Sequence, residues 1–116
     1  MSRQKKKGTG YENEVRDYLA CQDIRPDRCG KIVGHPGDVS IKTRLVGICE
    51  ADSWSGPYYI ECKRRATAWT ELYKWLDTNR NDFLAIRADY QRSLIVMDIE
   101  QFKSLLLGEL PKPRRE

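Results

Sequence analysis

Long hydrophobic runs, paired cysteines and histidine are what this 116-residue chain has least of. No apolar stretch approaches the roughly 20 residues that a bilayer-spanning helix needs, which excludes a helical membrane protein. The four cysteines, Cys21, Cys29, Cys49 and Cys62, form no C-x-x-C pair, and with the single His35 they fit no usual zinc spacing. Met1 to Gly10 is polar and basic, unlike a secretory signal, so the expected setting is cytoplasmic and reducing, without disulfides. No internal repeat is present.

Charge is plentiful: 21 Lys and Arg face 17 Asp and Glu, a net of +4. The excess is mild, but its placement is uneven. Basic residues gather at Arg3, Lys5, Lys6 and Lys7, at Lys63, Arg64 and Arg65, and at Lys112, Arg114 and Arg115. Such clusters favour a polyanionic partner over a neutral small molecule. The length suits one domain, residues 1–116, with a flexible basic arm over 1–8 and a disordered basic tail over 111–116.

Tyr11, Val15, Tyr18 and Leu19 form the apolar stripe of an amphipathic helix that Thr9 can cap. Glu12 lies at one edge of this stripe and Glu14 at the other, and helical geometry alone does not choose which turns inward. Pro26 ends the helical stretch, Cys29 to Val33 is short enough for an edge strand, and Gly34-His35-Pro36-Gly37 reads as a turn. From Asp38, Val39 and Ile41 alternate with Ser40, Lys42 and Arg44, and the apolar run Leu45 to Cys49 can extend that strand. The turn-rich segment Ala51 to Pro57 leads back into an antiparallel strand, Tyr58 to Lys63, whose apolar character suggests a central place.

Trp69, Leu72, Tyr73 and Leu76 predict a helix over about Thr67 to Asp77 with Trp69 in the core. Phe83 to Arg87 and Ser93 to Met97 predict a hairpin. Asp98 and Gln101 form a capping box for a last helix that Gly108 and Pro111 stop. The expected class is α/β, in the order α-β-β-β-α-β-β-α.

On a strand, Glu61 and Lys63 share one face. With Asp38 on the neighbouring strand they offer what phosphodiester hydrolysis needs: carboxylates for Mg²⁺ and a lysine beside the attacking water. Asp38 and Glu61 are the expected metal ligands, with the Cys62 backbone carbonyl as a third. The plain alternative is an E-x-K triplet on a solvent-facing strand, joined by a salt bridge.

Lys6-Lys7-Gly8-Thr9-Gly10-Tyr11-Glu12-Asn13-Glu14-Val15, Gly37-Asp38-Val39 and Ile60-Glu61-Cys62-Lys63 together resemble the three motifs of the PD-(D/E)xK nuclease superfamily, closest to archaeal-type Holliday-junction resolvases and small phage-encoded endonucleases. The resemblance spans residues 6 to 98 in motif order. It implies a restriction-endonuclease-like core, a mixed central sheet of about five strands flanked by helices. It also implies Glu12, Asp38, Glu61 and Lys63 as catalytic residues, Glu12 joining the metal site, and Mg²⁺ as cofactor with Mn²⁺ able to substitute. The implied partner is DNA, branched DNA in particular, cut by a homodimer, with no organic cofactor, in a bacterial, archaeal or phage-infected cell. The family's proline before the aspartate is replaced by Gly37. Neither its serine after the first strand nor its glutamine after E-x-K is evident, Thr70 and Glu71 standing near the second position. Restriction, repair and packaging nucleases share these motifs, and a non-catalytic nucleic-acid-binding module can share the fold.

Lys5, Lys6, Lys7, Arg64 and Arg65 are the expected DNA contacts. Trp75 falls off the apolar stripe and is a candidate for a dimer surface or DNA contact, Trp54 lies in a turn, and His35 precedes Gly37-Asp38 without a visible partner.

Overall fold

The computed structural model describes residues 3–29, 37–44 and 53–114. His35, the Leu45 to Cys49 run and the ends of the chain lie outside them. The fold is α/β, with helices α1 (Arg3–Leu19), α2 (Thr70–Asp77) and α3 (Ile99–Leu106) and strands β1 (Ile24–Arg28), β2 (Val39–Thr43), β3 (Ser55–Ile60), β4 (Phe83–Ile86) and β5 (Leu94–Met97). A 3-10 turn, Thr78–Arg80, follows α2. All recorded pairings are antiparallel, in a three-stranded sheet ordered β1-β2-β3 and a two-stranded sheet β4-β5. The chain divides into two compact units, residues 1–65 with 106–108, and residues 66–105 with 109–116.

In the first unit, α1 packs on β1 and β2. Val15 and Leu19 from the helix meet Ile24, Cys29, Val39 and Ile41, all buried. The alternation read in β2 holds: Val39, Ile41 and Thr43 are buried and Lys42 is exposed. The helix begins at Arg3, so the stretch expected to be a flexible arm is helical from residue 3. Arg, Gln and Lys are strong helix formers, and the glycines at 8 and 10 lower helix stability by roughly 1 kcal/mol each without breaking the ladder.

The edge strand is Ile24–Arg28, ahead of the Cys29 to Val33 segment expected to form it, and Pro26 lies in its middle. Hydrogen bonds from Arg44 N–H to the Asp23 carbonyl and from Cys29 N–H to the Asp38 carbonyl put odd-numbered residues of β1 at the hydrogen-bonded positions. Pro26, opposite Ile41, therefore falls between them, with its nitrogen turned away from β2.

Among the described residues β3 pairs on one side only, with β2, and Tyr58 and Tyr59 are 53% and 42% exposed, against the central place its composition suggests. Gly56 explains its kink: at φ 120 a side chain there would meet the Ile41 carbonyl oxygen at 2.7 Å, beside a register shift between Ile41 and Thr43. Before the strand, the Trp54 ring is stacked by the Arg25 and Arg44 guanidiniums at 3.8 and 5.2 Å, and Asp23 pairs with Arg44 at 2.7 Å.

In the second unit, α2 packs against β4 and buries Leu76. It starts at Thr70, later than Thr67, because Trp69 sits in the left-handed region at φ 65. Trp69 is 45% exposed and is not a core residue. The predicted hairpin forms, pairing Phe83 with Met97 and Ile86 with Leu94. Asp98 caps α3 by accepting the Glu100 N–H at 2.8 Å, but Gln101 does not return the bond: its buried amide has no partner among the described residues. Gly108 at φ 73 ends the helix, with Glu109 N–H donating to the Ser104 carbonyl at 2.9 Å.

The tail expected to be disordered is anchored as far as Arg114. Its N–H donates to Asp82 Oδ1 at 2.7 Å, and its guanidinium reaches the Leu76 and Asn81 carbonyls and Asp77 Oδ1. Arginine's forked donors collect the carbonyls that a helix end leaves unpaired.

Candidate active site

Gly37 allows the close approach on which the site depends. A Cβ there would stand 3.0 Å from Tyr59 Cβ and 3.2 Å from both the Ile60 nitrogen and oxygen. Without it, the Asp38 N–H donates to the Ile60 carbonyl at 2.9 Å, while the Asp38 carbonyl accepts from Cys29 N–H at 3.0 Å. Asp38 is thus stitched to the ends of both neighbouring strands. Its carboxylate Oδ2 accepts the Cys62 N–H at 2.7 Å.

Glu12 comes from the inward side of α1. Its Oε2 accepts from Arg28 Nη2 at 3.0 Å and Nε at 3.3 Å. Arg28 is the last residue of β1 and pairs with Val39, next to Asp38. Both side chains of this ion pair are part-buried. Both carboxylates act on the Cys62 thiol. The thiol is pushed up to about 11 by burial, then by the Asp38 carboxylate, then by the Glu12 carboxylate. It therefore stays protonated at neutral pH and is no nucleophile. Glu12 is paired with Arg28, while no salt bridge to Asp38 is found among the described residues.

Glu61 and Lys63 behave differently. β3 runs from Ser55 to Ile60, so the strand expected over Tyr58 to Lys63 stops before Glu61 and its alternation does not reach Lys63. Glu61 and Lys63 pair with each other at 3.2 Å, their side chains 68% and 55% exposed. Arg64 and Arg65 follow, exposed, on the same irregular segment. Lys5, Lys6 and Lys7 lie on the opening turns of α1. Among the described residues no group of three or more His, Cys, Asp or Glu side chains is gathered tightly enough to hold a metal ion.

The structure bonds Asp38 to Cys62, pairs Glu12 with Arg28, and pairs Glu61 with Lys63 at the surface. Arg28 is the residue that sequence reasoning missed; only its place at the inward-facing parity of β1, in step with Ile24, could have signalled it. No protein-family model, curated protein or solved structure matches this chain.

Proposed function

We propose that this chain is an Mg²⁺-dependent endodeoxyribonuclease that hydrolyses phosphodiester bonds in branched DNA, Mn²⁺ being able to replace Mg²⁺. The observation that supports this best is the bond by which Asp38, at the start of a strand, accepts the Cys62 N–H at 2.7 Å from the segment carrying Glu61 and Lys63, with the Glu12 carboxylate acting on the same Cys62 thiol. Magnesium prefers oxygen ligands and keeps several waters, so two carboxylates suffice to anchor it. The charge of the Asp38 carboxylate, which no cationic side chain pairs among the described residues, is what such an ion neutralises.

Glu61 is the third acid, with the Cys62 carbonyl beside it. It lies on an exposed, irregular segment, so turning inward costs it only the surface pair with Lys63, worth roughly 0–1 kcal/mol. Lys63, released from Glu61, orients the attacking water. Bound there, the ion would neutralise charge on the phosphoryl oxygens and the departing oxygen. Arg64, Arg65 and the lysines at the start of α1 hold the flanking phosphates.

This reading implies a restriction-endonuclease-like core in which the strands belong to one mixed sheet of about five, in the cytoplasm. Junction cutting needs two symmetry-related incisions, and one site per chain makes a homodimer the natural agent.

The test is cleavage of a labelled four-way junction with and without Mg²⁺. Asp38→Asn and Lys63→Ala are each expected to slow cutting by roughly 100-fold or more. Metal-independent cutting, or full activity in both variants, refutes the proposal.

The exposed Glu61–Lys63 pair favours a second reading, a nucleic-acid-binding module in which E-x-K is a surface salt bridge. EDTA-resistant binding without cleavage of any DNA would select it.

A further inference from the structure

The second unit holds a cleft of about 530 Å³, lined by Leu72 and Trp75 of α2, Ile86 and Leu94 of the hairpin strands, and Arg87, Gln91 and Arg92 of the loop between them. That volume lies within the range of small-ligand sites, roughly 300–1,000 Å³. No Asp or Glu lines it. Arg87 and Arg92 are exposed, and neither is ion-paired among the described residues. Trp75 is 48% exposed, and its carbonyl is held by Asn81 Nδ2 at 2.7 Å, which fixes the end of α2 that carries the indole. The loop is a closed turn, Gln91 N–H donating to the Ala88 carbonyl at 3.1 Å, with Tyr90 in the left-handed region at φ 62 and fully exposed.

A flat aromatic wall, two unpaired guanidiniums and a side-chain amide match one chemistry: a planar base attached to a phosphate. We propose that this cleft binds an unpaired nucleotide of a DNA strand, its base stacked on Trp75, its phosphates held by Arg87 and Arg92, and its edge met by Gln91. Aromatic stacking needs a free base face, which a duplex hides. The choice of a strand over a free nucleotide rests on the nuclease reading. The binding itself does not, because the cleft contains none of the residues of the Asp38 cluster.

The experiment is fluorescence anisotropy of a labelled oligothymidylate in EDTA, so that cleavage plays no part. Trp75→Leu, which keeps apolar bulk but cannot stack, is expected to weaken binding roughly 5- to 100-fold, while Trp75→Phe retains most of it. Arg87→Ala with Arg92→Ala should flatten the slope of log affinity against log salt by about 1.4. Circular dichroism of each variant separates lost binding from lost folding. Equal affinity of Trp75→Leu and Trp75→Phe, or equal competition by duplex of the same sequence, overturns the proposal. Displacement by AMP at the concentration of nucleotides at which the strand competes overturns the assignment to a strand. Failure of junction cleavage with this binding intact would refute the nuclease reading alone.

Discussion

Titrating Cys62 measures the electrostatics of the Glu12-Asp38 cluster without any assay of cleavage. Its thiol stands at about 11 against an ordinary 9.0, raised by burial and by the two carboxylates. At pH 9 an unperturbed thiol of that reference value would be half ionised and Cys62 only about 1% ionised, so its alkylation should run about fifty-fold slower from thiolate fraction alone. Pulsed iodoacetamide labelling followed by peptide mass mapping reads Cys62 separately, with exposed Cys21 as the internal accessible thiol. Asp38→Asn removes one of the two charges while its amide oxygen can still accept the Cys62 N–H, so Cys62 should label faster in that variant. Mg²⁺ should speed labelling of the wild-type chain and have no effect on Asp38→Asn. The sign carries over to stability. Because the folded thiol holds its proton to higher pH than the unfolded one, stability is full below about 9 and falls as pH climbs toward about 11. Labelling of Cys62 at the ordinary rate, or no change in Asp38→Asn, would show that the carboxylates do not converge on it.

Leu19 has no exposed surface and joins α1 to the first sheet, so Leu19→Ala should cost about 2–5 kcal/mol in urea unfolding. A loss under 1 kcal/mol would mean that the helix does not pack there. Asp98→Ala removes the cap on the Glu100 N–H and should cost about 1 kcal/mol, with Asp98→Asn nearly neutral. Lys63→Ala touches only an exposed pair and should shift stability by less than about 1 kcal/mol, so any large loss of cleavage in it is chemical.

Features written in short-range pattern were legible from the residues. The alternation of Val39, Ile41 and Thr43, the Phe83–Met97 hairpin and the Asp98 and Gly108 ends of α3 all depend on neighbours a few positions apart. What the sequence hid depends on distant partners. Pro26 reads as a breaker until β1 is known to lie at a sheet end. Arg114 reads as tail until Asp77, Asp82 and the end of α2 are seen around it. Glu12 was chosen by motif resemblance rather than geometry, and its Arg28 partner is 16 residues away. Glu61 and Lys63 were placed on one strand face by a periodicity that stops at Ile60.

The place of Pro26 has a consequence for how copies of this chain meet. An end strand offers a row of open amides on which another chain can build, and among the described residues the outer side of β1 meets only Cys21, which bridges Ile24. Pro26 removes the donor at the midpoint of the row, and Arg25 and Asp27 set exposed charges on either side of it. Regular strand-on-strand association at β1 is thus opposed by a residue that carries no N–H and by the bridge that already occupies Ile24.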